Sequence, residues 1–117
     1  MDLTQYFDKA FWVLQAVVGL IFIIHSSGKI KNPAGIASAY GAPAFVGLLH
    51  GLVEMAGGIL LIANFYVQYV GIVFVLIMLG AIFFKIVKWK MPFMAQNATG
   101  WEFDLVLLAA NILFIVK

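Results

Sequence analysis

The chain has 117 residues, with seven lysines, five acids, no arginine and no cysteine. Sixty-five per cent of it is hydrophobic, 10% is charged, and the mean hydropathy is +1.09. Soluble domains carry about a quarter charged residues, so a water-soluble globule, which would expose a large apolar excess, is excluded. Disorder, which needs low hydrophobicity and high charge, is excluded too.

An all-α integral membrane protein is the expected class, with the lipid bilayer as its surroundings. The absent thiols exclude a disulfide, a thiolate nucleophile, a CxxC redox pair and cysteine-ligated zinc or iron–sulfur clusters. A net charge of +2 gives no nucleic-acid-binding face.

In chain order, the first predicted span is 10–27, AFWVLQAVVGLIFIIHSS, with Phe7, Phe11 and Trp12 placed as an interfacial belt. Asp2, Asp8 and Lys9 precede it where a signal peptide needs a basic region, and no small-x-small cleavage site follows, so it reads as a retained helix. In GKIKNPAGIASAYGAP, Asn32 can cap, Pro33 suits a first turn and Gly41 can end a helix in the left-handed conformation. These signals predict a short interfacial helix from Pro33 to Tyr40.

The second span is expected over 43–64 and the third over 67–87, joined tightly through Asn64, Phe65 and Tyr66. The loop KWKMPFMAQNATGW mixes lysines with Trp89, Phe93 and Trp101, as a loop lying along the interface does. A fourth span over 101–117, at ~1.5 Å per residue, nearly crosses a hydrocarbon core of ~30 Å. The expected fold is a four-helix transmembrane bundle forming one domain over 1–117, with no internal repeat.

Lys29, Lys31, Lys85, Lys88 and Lys90 gather on one side, against Lys9 and Lys117 on the other. The excess of cations places loops 28–42 and 88–100 in the cytoplasm and both termini outside, in a multi-pass protein of the cell membrane.

Glu54 lies eleven residues beyond Pro43, or about 16 Å of helix, near mid-membrane. Such a glutamate must face other helices and find a partner, either as a proton-handling or ligand-binding carboxylate or as glue between helices. His50 shares its helix face at i, i+4. Around it the candidate polar site gathers His25, Lys29, Lys85 and Glu102 on the loop side; Lys85 is expected to pair with Glu54 or Glu102, or to snorkel to the headgroups. Asp104, half a turn below Glu102, is expected to face another way.

The differing depths of His25 and His50 and the lack of a third ligand with metal spacing argue against haem b and against a metal site. Gly47, Gly51, Gly57, Gly58 and Gly80 are expected to let helices pack closely, in the chain or in a homodimer. Ser26 and Ser27 can bond back to their own helix, and Asn111 is expected to bond across helices.

The segments GLIFIIHSSGKIKN, GLVEMAGGILLIANF and GWEFDLVLLAA together resemble the DoxX/DoxD family of small four-helix membrane proteins. The family's glycine and lysine at the end of the first helix match Gly28 and Lys29. Its glutamate followed by glycines matches Glu54, Gly57 and Gly58, and its glycine and acid opening the fourth helix match Gly100 and Glu102. Where the family often places a histidine at the end of the third helix, this chain has Lys85.

The resemblance implies a membrane subunit beside quinone-linked or redox-stress chemistry, some members being similar to the membrane subunit of a thiosulfate:quinone oxidoreductase. It implies quinone as a candidate cofactor and a redox subunit as a candidate partner. A small proton-coupled transporter is the first alternative, although the core of the first span holds only Gln15 where such transporters place an acid; a structural helper of a larger complex is the second.

Overall fold

The computed structural model describes residues 2–90, 92–94 and 100–116. Lys117, where the fourth span was expected to end, and residues 95–99 of the third connection lie outside the described residues. Among those described there are helices and no strands: α1 Phe7–Lys31, α2 Pro33–Ala39, α3 Ala44–Ala63, α4 Val67–Phe83 and α5 Trp101–Ile115. A 3-10 turn, Thr4–Tyr6, precedes α1, and a π-helical turn, Phe84–Lys88, continues α4.

Three of these helical stretches are long and apolar enough to cross a membrane: Thr4–Lys31, Ala44–Ile62 and Val67–Lys88. The fifteen residues of α5 make about 22 Å, short of a ~30 Å core. The chain divides into two compact units, residues 2–66 and 67–116 of those described.

In the first unit, α1 buries Phe11, Gln15, Val18, Gly19, Phe22 and Ser26, and α3 buries Gly47, Gly51, Glu54, Gly57, Gly58 and Leu61. Both sets advance by three or four residues, the stripe a helix presents to a neighbour. Val13, Val17, Leu20 and Ile24 on α1 are exposed, as expected of side chains whose solvent is lipid.

The two helices approach most closely at Gly19 and Gly58. A Cβ on either would lie 2.5 Å from the other's carbonyl oxygen, so only the bare backbone fits. Small residues permit this approach where lipid supplies no hydrophobic drive to associate. Polar bonds then fasten the far end of α3: Gln15 donates to the Leu61 carbonyl at 3.2 Å and to Asn64 Oδ1 at 3.0 Å, and Trp12 donates to the Ile62 carbonyl at 3.1 Å.

Those carbonyls are among the last in α3, which have no partner within the helix. Asn64 closes the helix at φ 59°, with its own N–H on Leu61 and that of Phe65 on Leu60. This is the left-handed cap that asparagine tolerates better than most residues.

The helix signals between α1 and α3 act as expected. Asn32 accepts from the Gly35 N–H, Pro33 opens α2, and Gly41 turns the chain at φ 71°. The first helix runs four residues beyond its predicted end, to Lys31, because Gly28 and its neighbours continue the helix and only Asn32 and Pro33 stop it. Ser26 and Ser27 donate to the carbonyls of Ile23 and Ile24, as predicted.

In the second unit, α4 buries Val67, Val70, Gly71, Phe74 and Met78, and α5 buries Asp104, Leu107, Asn111 and Phe114. Gly71 is the contact point here; a Cβ on it would lie 2.9 Å from the Asn111 carbonyl. Gly80 is exposed, with nothing among the described residues within 4 Å of a Cβ built on it, so it makes no close helix approach there. One expectation fails. Asn111 donates to the Leu107 carbonyl of its own helix at 2.7 Å; on α5 that carbonyl lies one turn back, within reach of the side chain.

Gly58→Ala should therefore lower stability by about 1–3 kcal/mol, the usual cost of overpacking. Gly80→Ala should be neutral or raise it by up to about 1 kcal/mol, through helix propensity alone. Thermal unfolding of the two variants in the same detergent checks the contrast.

Candidate functional site

The glycine packing of α1 on α3 also places the charged groups. A Cβ on Gly51 would lie 3.1 Å from Lys29 Cβ and 3.0 Å from Ile30 Cγ1, so its absence lets the end of α1 lie against α3. Glu54 follows Gly51 by three residues on the same face, within reach of the lysine. Its side chain is 2% exposed, and Lys29 Nζ donates a hydrogen bond to its Oε1.

His50, four residues before Glu54, brings Nε2 to 2.9 Å from the same oxygen. The nitrogen is nevertheless buried without an aligned hydrogen bond. Tyr40, the residue that ends α2, sets its ring 6.1 Å from the imidazole. A carboxylate thus sits among apolar helices, neutralised by an ammonium and touched by a histidine.

That arrangement can hold a negative charge that would otherwise be expelled from a low-dielectric region. It can also exchange a proton between imidazole and carboxylate, which lie at hydrogen-bond distance. No group of three metal-ligating side chains occurs among the described residues.

Of the six predicted site residues, His25, Lys29, His50 and Glu54 lie in the first unit and Lys85 and Glu102 in the second. His50 meets Glu54, as its i, i+4 spacing suggested, and Lys29 meets it from α1. His25 is exposed on α1. In the second unit, Lys85 pairs with Asp104. Its Nζ lies 2.6 Å from Asp104 Oδ2, with both side chains largely buried.

Two features turn Lys85 inward. The π-helical turn, marked by the Trp89 N–H bonding to the Phe84 carbonyl at 2.8 Å, widens the helix where the lysine departs. Asp104 lies on the buried stripe of α5 with Leu107, Asn111 and Phe114, whereas Glu102 is half-exposed. The seven-residue step from Asp104 to Asn111 was the available signal, since it puts both on one face.

Gly100 is buried at the start of α5, where the Phe93 carbonyl accepts from the Glu102 N–H at 3.1 Å. A side chain at this position would collide with that carbonyl. The glycine is fixed by the loop folding over it, with the Phe93 and Trp101 rings 4.5 Å apart.

Long apolar helices, close glycine crossings and lysine–acid pairs buried within helical units define a multi-pass helical membrane protein. The DoxX family model matches residues 11–86, and the chain belongs to that family. It is 32% identical to the protein named "Putative oxidoreductase CatD" of Bacillus subtilis (strain 168) over 113 residues, covering 94% of this chain and 80% of the relative. No solved structure matches it significantly.

Lys29→Met alone should cost about 3–5 kcal/mol, because it strands the Glu54 charge, while Lys29→Met/Glu54→Leu should recover most of the loss. Denaturant unfolding of the two singles and the double measures this coupling. In the second unit Asp104→Asn should destabilise by roughly 1–3 kcal/mol, and Glu102→Gln should change stability by less than about 0.5 kcal/mol. The same unfolding assay separates the two acids.

Proposed function

We propose that this chain is a membrane subunit or accessory of an oxidoreductase acting on quinone, and that Lys29, Glu54 and His50 receive the quinone's polar head. The observation that carries the reading is the state of the cluster. Glu54 is held by Lys29, while His50 Nε2 lies 2.9 Å from the carboxylate and has no aligned bond.

An ammonium and an imidazole beside one carboxylate supply donors for a quinone carbonyl oxygen and a route for a proton. Reducing a quinone to a quinol takes up two electrons and two protons. Glu54 and His50 handle protons, and a redox partner subunit supplies the electrons. The name of the Bacillus subtilis relative supports redox chemistry, and family membership supports a place in the membrane.

The test is gentle purification followed by lipid extraction for quinone and mass spectrometry for partners. The expected result is quinone or a redox subunit retained by the native protein, with quinone lost from Glu54→Gln and from His50→Phe. Protein carrying neither, in cells indifferent to Glu54→Gln, would establish a structural helper instead.

We further propose that residues 1–117 form one four-span domain of the cell membrane, with α5 as the fourth crossing and α2 at the interface. Loops 28–42 and 88–100 would face the cytoplasm. The five lysines in and beside those loops support this orientation. The chain has no cysteine, so single introduced thiols report their side directly. Lys31→Cys should react with an impermeant maleimide only from the cytoplasm, and Asp8→Cys and Val116→Cys only from outside.

A further inference from the structure

The second unit carries a polar feature that the proposed quinone site does not use. Asn111 is fully buried, and its Nδ2 is engaged by the Leu107 carbonyl. Its Oδ1 has no hydrogen-bond donor among the described residues. An amide oxygen left without a donor in an apolar interior is costly, and buried polar groups in folded proteins nearly always find a partner.

Two turns earlier on the same stripe, Asp104 Oδ2 is also buried without an aligned hydrogen bond, although Lys85 Nζ is 2.6 Å away. Both oxygens are acceptors, so whatever satisfies them must donate. Lys85 itself leaves the helix from a π-helical turn, an irregularity that recurs at functional sites.

We propose that Asn111 Oδ1 is an internal hydration site of the α4–α5 unit, filled by water that enters at the Lys85–Asp104 pair. Water is the donor whose size suits a close-packed helix pair, and it bonds two or more polar groups at once. The ion pair is the polar end of this site: it lowers the barrier for water to leave the surface and pass Leu107 toward the amide. The pair and the asparagine therefore act together, although the side chains are about 10 Å apart along the helix.

The experiment is proton-detected solid-state NMR of the full chain in deuterated-lipid bilayers, following magnetisation transfer from water to the Asn111 side-chain NH2. That signal is assigned by its loss in Asn111→Leu. A clear water transfer is expected in the native protein, falling by about threefold or more in Lys85→Met/Asp104→Leu, which removes the polar end without stranding a charge. Absence of transfer in the native protein overturns the proposal, as does transfer unchanged in the double variant.

Should the double variant fail to fold, Asp104→Asn takes its place in the same measurement: a fall in water transfer to the Asn111 NH2 is expected, and unchanged transfer overturns the proposal.

Discussion

A carboxylate buried between apolar helices must be neutralised where it sits, and much of this chain's architecture follows from that requirement. Stranding a charge in such surroundings costs several kcal/mol, about as much as the stability margin of many small domains. The acid and its lysine are therefore one unit of design. Glu54 is tolerable on α3 because α1 continues past Ser27 to carry Lys29 alongside it, and Asp104 is tolerable on α5 because a π-helical turn carries Lys85 inward.

Glycine makes these pairings geometrically available. An aliphatic side chain at Gly51 would push away the end of α1 and with it Lys29; one at Gly58 would separate the helices at their crossing. The same α1–α3 contact is fastened at its other end by Gln15 and Trp12 on the last carbonyls of α3. Polar bonds thus stand at both ends of the helix pair, with bare backbone contact between them. In lipid, where apolar surface gains little by being covered, such bonds and contacts must hold helices together.

These relations divide into those a sequence displays and those it hides. Three long apolar spans, the Asn32–Pro33 start of α2, the Gly41 turn and the His50–Glu54 face were legible because each depends on neighbours within a turn or two. Lys29 was legible as a loop-side member of the site, but its pairing with Glu54 was not, because that contact depends on how α1 lies on α3. The pairing of Lys85 with Asp104 was not legible, because it depends on how α5 lies against the end of α4. Asp104 was overlooked in favour of Glu102, although its seven-residue step to Asn111 is in phase with Leu107 and Phe114. Gly80 looked like a packing glycine by type, but type alone does not say which face of a helix is covered.

The two units repeat a theme that no sequence repeat reveals: a lysine near the end of one helix reaches an acid on the next. What surrounds each pair gives it different chemistry. Beside Lys29 and Glu54 stands the His50 imidazole, a ring with two nitrogens for hydrogen bonding, so that pair has a polar neighbour at contact distance. Beside Lys85 and Asp104 the nearest buried polar group on α5 is an amide, which binds but does not titrate. The two pairs thus differ in what lies against them: an imidazole at Glu54, and the buried stripe of α5 at Asp104.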